Sequence, residues 1–180
     1  MMKKNGYTFM ELLVVITIMV LLGAGILLQQ NLIKEDNVLT QAAADLQSFI
    51  RLAQSNATTA VLCEGEGTIS WIIEPTLNNK QRLNLKCKNA SSPQPIQQKT
   101  FVFGGNIEIA AVLGASGCNA NFPSQNLQII FATLSSKPTF DSPIPCVKNS
   151  TTFLDFIVKN SKTSSQLTVT IDLGGTVDVK

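Results

Sequence analysis

From Leu12 to Leu28 the chain carries no charge, and the uncharged stretch runs on to Ile33 before Lys34 ends it. That is the length of the roughly 20 residues with which a helix crosses the hydrocarbon core of a bilayer, so the pattern predicts an apolar, membrane-spanning helix. Beyond it the period changes. Leu39, Ala42, Ala43, Leu46, Phe49, Ile50, Ala53, Ala57 and Ala60 recur at steps of three and four, an apolar stripe along one helix face, while Asp45, Gln47, Arg51 and Gln54 fall on the other side. Joined, the two patterns predict one helix from about Tyr7 to about Ala60, on the order of 80 Å long at 1.5 Å per residue. Gly23 and Gly25 interrupt it without a proline. Close packing against small residues of neighbouring helices and local melting are both open readings of that pair.

After Ala60 the helical period stops and short strand-like runs begin. They are Thr68 to Glu74, Arg82 to Lys86, Lys99 to Phe103, Ile107 to Val112, Leu127 to Ala132, Phe153 to Val158 and Leu167 to Leu173. In the last of these, Leu167, Val169, Ile171 and Leu173 alternate with Thr168, Thr170 and Asp172, and Gly174-Gly175 then predicts a two-residue turn into Thr176 to Val179. Segments punctuated by Pro and Gly, namely Asn89 to Pro95, Gly114 to Pro123 and Ser135 to Pro145, read as loops. The expected fold class is α+β: a long N-terminal α-helix, with a membrane half and an amphipathic half, packed against a C-terminal antiparallel β-sheet head.

Chemistry narrows the reading further. Histidine is absent, which removes the usual general base near neutral pH and the commonest metal ligand. No serine elbow, phosphate loop or metal-ligand spacing stands out, and Gly65-Glu66-Gly67 leads into a strand and reads as a turn. We therefore expect no enzyme, no cofactor and no metal. The four cysteines, Cys63, Cys87, Cys118 and Cys146, all follow the apolar run, and none forms a Cys-x-x-Cys pair. Two disulfides in an oxidising compartment is the preferred reading, with reduced core cysteines as the alternative. Of the three possible pairings, the sequential one, Cys63 with Cys87 and Cys118 with Cys146, is favoured because each closes a loop rich in turn residues.

The formal net charge is +2, from 14 basic and 12 acidic residues, and strong global attraction to nucleic acid is not implied. One local run differs: Lys80, Arg82, Lys86, Lys88 and Lys99 follow one another with no acidic residue between them. Contact with DNA phosphates is one reading of this run, and a solvated face is the other. Three Asn-x-Ser/Thr sequons, at Asn56, Asn89 and Asn149, are accounted for by chance in a chain so rich in these residues.

What precedes the apolar run is the most distinctive part of the chain. Lys3-Lys4-Asn5-Gly6-Tyr7-Thr8-Phe9-Met10-Glu11 leads directly into Leu12-Leu13-Val14-Val15-Ile16. A lone carboxylate at the edge of an apolar helix is costly, so Glu11 should have a partner or a task. The stretch Lys3 to Val15 resembles the leader and N-terminus of type IV prepilins and type II secretion pseudopilins. Its basic leader ends in Gly and is followed by an aromatic residue, Thr and then Glu, with Tyr7 standing where Phe is more usual. That resemblance implies cleavage between Gly6 and Tyr7 by a prepilin peptidase, N-methylation at Tyr7, and use of Glu11 in assembly. A weaker likeness of layout, through the alanine-rich helix, the strand with Trp71 and the closing Gly-Gly-Thr-Val-Asp-Val, is to minor subunits of the H-type pseudopilin and T-type fimbrial group.

The implied organisation is a leader over 1–6, a transmembrane and filament-core helix over 7–33, an amphipathic helix half over 34–62 and a β-rich head over 63–180. The implied location is a single pass of the cytoplasmic (inner) membrane, with the N-terminus in the cytoplasm, the head outside and later assembly into a pilus or pseudopilus. The implied function is that of a structural subunit, a minor one that primes assembly or contacts cargo. Implied partners are other pilin or pseudopilin subunits, prepilin peptidase, an inner-membrane assembly platform, lipid before assembly, and DNA or secreted protein as cargo. A major pilin, a DNA-binding minor pilin and a signal-anchored surface-binding module are the alternatives.

Overall fold

A computed structural model describes residues 9–76, 79–92, 94–114, 127–142 and 152–180, with residues 25–33 described by backbone alone. The helix α1 covers Phe9–Thr58. The strands are β1 (Thr68–Pro75), β2 (Arg82–Asn89), β3 (Ile96–Val102), β4 (Ile107–Gly114), β5 (Gln128–Ala132), β6 (Pro138–Asp141), β7 (Phe153–Asn160), β8 (Gln166–Asp172) and β9 (Val177–Val179). Contacts divide the chain into two units, Met1–Asn37 and Val38–Lys180.

In the first unit, the stretch Leu12 to Leu22 holds one polar side chain, Thr17, whose hydroxyl donates back to the carbonyls of Leu13 and Val14 at 3.1 and 2.8 Å. That back-bonding satisfies the hydroxyl on the helix's own carbonyls and leaves an almost wholly apolar surface.

The second unit begins with the amphipathic stretch. Leu39, Ala42, Ala43, Leu46, Phe49, Ile50, Ala53 and Ala57 are all buried, so the stripe forms one wall of the core. The helix stops at a backbone-made cap. Ala60 adopts a φ of 51°, its N–H donates to Ala57 O at 3.2 Å, and the Val61 N–H reaches Asn56 O at 3.0 Å. This is the paired closure with which helices end in a left-handed residue, here achieved by alanine in place of glycine.

The strands form two antiparallel sheets, in the orders β3-β2-β1-β5-β6 and β4-β7-β8-β9. Alternation decides their inner faces: β2 and β7 each bury every second residue, among them Leu83, Leu85, Cys87 and Leu154, Phe156, Val158. Trp71 stands opposite Cys87 on one side and Phe131 on the other, and Phe156 stands opposite Val169. Both inner faces and the stripe of α1 meet in a single hydrophobic cluster.

Several expectations are corrected here. The pilin fold, a long helix with a membrane half packed on one antiparallel sheet, does not stand. The side chains of α1 are described in two stretches, 9–24 and 34–58, neither of them both long and apolar, and the β part is two sheets rather than one. The transmembrane assignment, and with it the single pass of an inner membrane, is also overturned: among the described residues no helix is long and apolar enough to cross a membrane. Over the described side chains the apolar stretch runs from Leu12 to Ala24, shorter than the roughly 20 residues a span needs.

Two local corrections concern turn chemistry. Within the expected loop from Ser135 to Pro145, β6 pairs with β5, Phe131 facing Pro138 and Ile129 facing Phe140. A proline is tolerated as the first residue of an edge strand because it removes only one donor, and Phe140 is buried in return. The final hairpin turns over three residues, Leu173 to Gly175, rather than two. Gly175 donates to Asp172 O at 3.0 Å with a φ of 89°, and the Asp172 carboxylate accepts the Thr176 N–H at 2.9 Å. This is a type I turn followed by a left-handed glycine, the usual three-residue hairpin loop.

Candidate functional site

Gly6 and Tyr7 lie outside the described residues, as do Cys118 and Cys146. Glu11 lies in the first turn of α1, where the helix dipole favours a negative charge. Around it Phe9 and Met10 are 79% and 70% exposed, and Leu12 to Ile16, Ile18, Met19, Val20, Leu21 and Leu22 are exposed as well. The first unit thus presents one carboxylate at the head of an apolar rod. A helix apolar all round is normally covered, so this surface is built to be buried against something.

The basic residues singled out in the head do not form one face. Arg82, Lys86 and Lys88 alternate with buried Leu83, Leu85 and Cys87 and so share the outer side of β2. Lys99 stands opposite Leu85 on β3, which places it on the other side of the same sheet, and exposed Lys80 lies in the turn before β2. Lys86 is ion-paired with Glu74 of β1, whose other oxygen accepts the Gln128 amide at 3.1 Å. An acidic partner therefore comes from the neighbouring strand, where the run along the chain showed none.

Cys63 and Cys87 are joined by a disulfide that ties the segment after α1 to the centre of β2. Cys63 also closes a small turn with Glu66 through paired backbone bonds of 2.9 and 3.1 Å. The sequon residue Asn89 is buried, its carboxamide oxygen accepting the Ser92 N–H at 2.7 Å, which leaves no room for a glycan. Among the described residues no three His, Cys, Asp or Glu side chains gather as a metal would require.

A row of polar side chains on α1 does more than face water. Gln47 and Arg51 both donate to Val177 O, at 2.5 and 2.9 Å, and Gln54 donates to Ser136 O at 2.8 Å and Gly175 O at 2.9 Å. Spaced at three and four residues, these groups lie on one helix face and fasten the final hairpin and the β5–β6 turn. Their spacing was visible in the sequence, but their acceptors are backbone carbonyls more than 80 residues away, which no local pattern reveals. A groove of about 470 Å³ lies between Asp45, Ser48, Phe49 and Leu52 of α1 and Lys99 to Val102 of β3.

No family model matches the chain, and neither a curated protein nor a solved structure does.

Proposed function

We propose that this chain is a structural, non-enzymatic filament subunit of the type IV pilin and pseudopilin kind, whose apolar helix stacks beside copies or relatives of itself. The observation that carries the reading is the pairing of an apolar helical surface from Phe9 to Leu22 with one carboxylate, Glu11, in the first turn, directly after the leader-like Gly6-Tyr7-Thr8. Each large apolar side chain taken out of water contributes about 1.5–3 kcal/mol, so burial of this surface against neighbouring helices is a sufficient drive for association.

Glu11 then sets the register. A carboxylate buried among apolar helices is strongly unfavourable unless it meets a cation. Cleavage after Gly6 creates an amine at Tyr7, and that amine on one subunit is a suitable partner for Glu11 of the next. Other subunits and a prepilin peptidase are the partners this reading requires. The head, stapled by Cys63–Cys87, is carried on the filament surface, where its loops meet cargo or neighbours.

N-terminal sequencing of the mature protein from its native host tests the first step: a chain starting at N-methylated Tyr7 is expected, and an intact Met1 or Met2 would end the proposal. The second step is read from sheared filaments, in which a Glu11→Val chain should be depleted at least about tenfold, a loss of about 1.4 kcal/mol in pairing. Equal incorporation would remove Glu11 from the mechanism.

A further inference from the structure

We propose that the outer edge of β3 is a docking site for an extended peptide segment of a partner protein, one bearing an acidic side chain two positions from an apolar one. Among the described residues the two sheets have four edges, β3, β6, β4 and β9. β9 is closed by α1, since the Val177 carbonyl already accepts Gln47 and Arg51. β4 is engaged by the turn before β2: the Ile109 N–H donates to Lys80 O at 2.9 Å, and Ile107 O accepts the Gln81 amide at 3.2 Å. β6 is four residues long and starts at a proline, two features that blunt an edge. β3 is seven residues long, and among the described residues no backbone bond joins it on the side away from β2.

An unpaired edge is half of a strand-addition site; side-chain pockets supply the rest. The groove beside β3 has an apolar floor of Phe49, Leu52 and Phe101, the two rings 5.2 Å apart. Lys99 stands on the strand wall and Asp45 on the helix wall. On an added strand, side chains facing the groove recur every second residue. A residue opposite Phe101 is therefore apolar and one opposite Lys99 acidic, while Asp45 disfavours a longer acidic run. A second copy of this chain is a poorer occupant, because antiparallel pairing of two β3 edges about their midpoint sets Lys99 against Lys99, and like charges directly opposed destabilise a sheet.

The site does not depend on the filament reading. Its test uses the full-length chain in mild non-ionic detergent, titrated into a fluorescein-labelled polythreonine heptapeptide carrying leucine and glutamate two positions apart. Fluorescence anisotropy should show saturable binding, weakened at least about tenfold by Lys99→Glu and restored when the peptide's glutamate is replaced by lysine. A peptide with proline in place of its central threonine, which lacks a backbone donor, should bind as weakly. Absence of saturable binding, or equal binding of the glutamate and lysine peptides to the native chain, would overturn the proposal. So would a concentration-dependent dimer that Lys99→Glu abolishes, since a second copy would then be the occupant. Should Lys99→Glu fail to fold, the comparison of the two peptides on the native chain decides the matter.

Discussion

The two stretches of α1 handle apolar residues in opposite ways. From Phe9 to Leu22 the large side chains are exposed on all sides, and from Leu39 to Ala57 a stripe of eight is buried under the sheets. The second stretch owes its position to contacts within the chain, because alanines at 42, 43, 53 and 57 let the backbone approach the core while Leu46, Phe49 and Ile50 fill it. The first finds no such partner among the described residues of its own unit. Under the filament proposal one stretch is a matter of folding and the other of association, and the same kind of substitution should have different consequences in each.

The widest separation should come from truncating one leucine in each stretch. Leu46→Ala removes a fully buried side chain and should cost about 2–5 kcal/mol in urea unfolding, whereas Leu13→Ala should leave the head's stability within about 0.5 kcal/mol. Equal losses would mean that the first stretch packs into the fold after all, and would break the contrast. A Cys63→Ser, Cys87→Ser double variant comes next, expected to lose about 3 kcal/mol for a staple of this loop length, again by urea unfolding. Unchanged stability would show that α1 is held to β2 by packing alone. Of the destabilising changes the smallest effect is expected from Gly175→Ala, at about 1–3 kcal/mol in thermal unfolding. The residue has a φ of 89°, and an added methyl would collide with the Ser136 carbonyl and the Gln54 amide. Its loss should loosen the hairpin from α1 while leaving the stripe in place, which amide exchange at Asp172 and Lys180, whose N–H groups donate across the β8–β9 pair to Thr176 O and Thr168 O, would resolve.

Much of this architecture is readable from local pattern. The apolar stripe is legible because helical period and burial are the same fact: eight of its nine residues, from Leu39 to Ala57, are buried, while Ala60 lies past the helix end at Thr58 and is half-buried in the cap. Among the described residues, eight of the nine strands lie on runs of alternating or continuous apolar residues, with ends that differ by up to three positions. β6 was hidden because Ser135 to Pro145 carries the punctuation of a loop, and only pairing to β5 makes Pro138 to Asp141 a strand. The candidate site was half legible. Glu11 is conspicuous in the sequence because an uncharged apolar run follows it directly, whereas the open edge of β3 exists only by contrast with the other three edges among the described residues.

By itself, then, the sequence determined where the described chain is helical, where it is extended apart from β6, which helix face is apolar and where a single acid meets an apolar rod, because each follows from neighbours a few residues apart. Only the tertiary structure decided that the strands divide into two sheets, that Lys86 meets Glu74 and Lys99 points to the other side, and that Gln47, Arg51 and Gln54 hold a hairpin. Those outcomes rest on partners brought together across 12 to 130 residues, and distance along the chain carries no local signal of which partner will arrive.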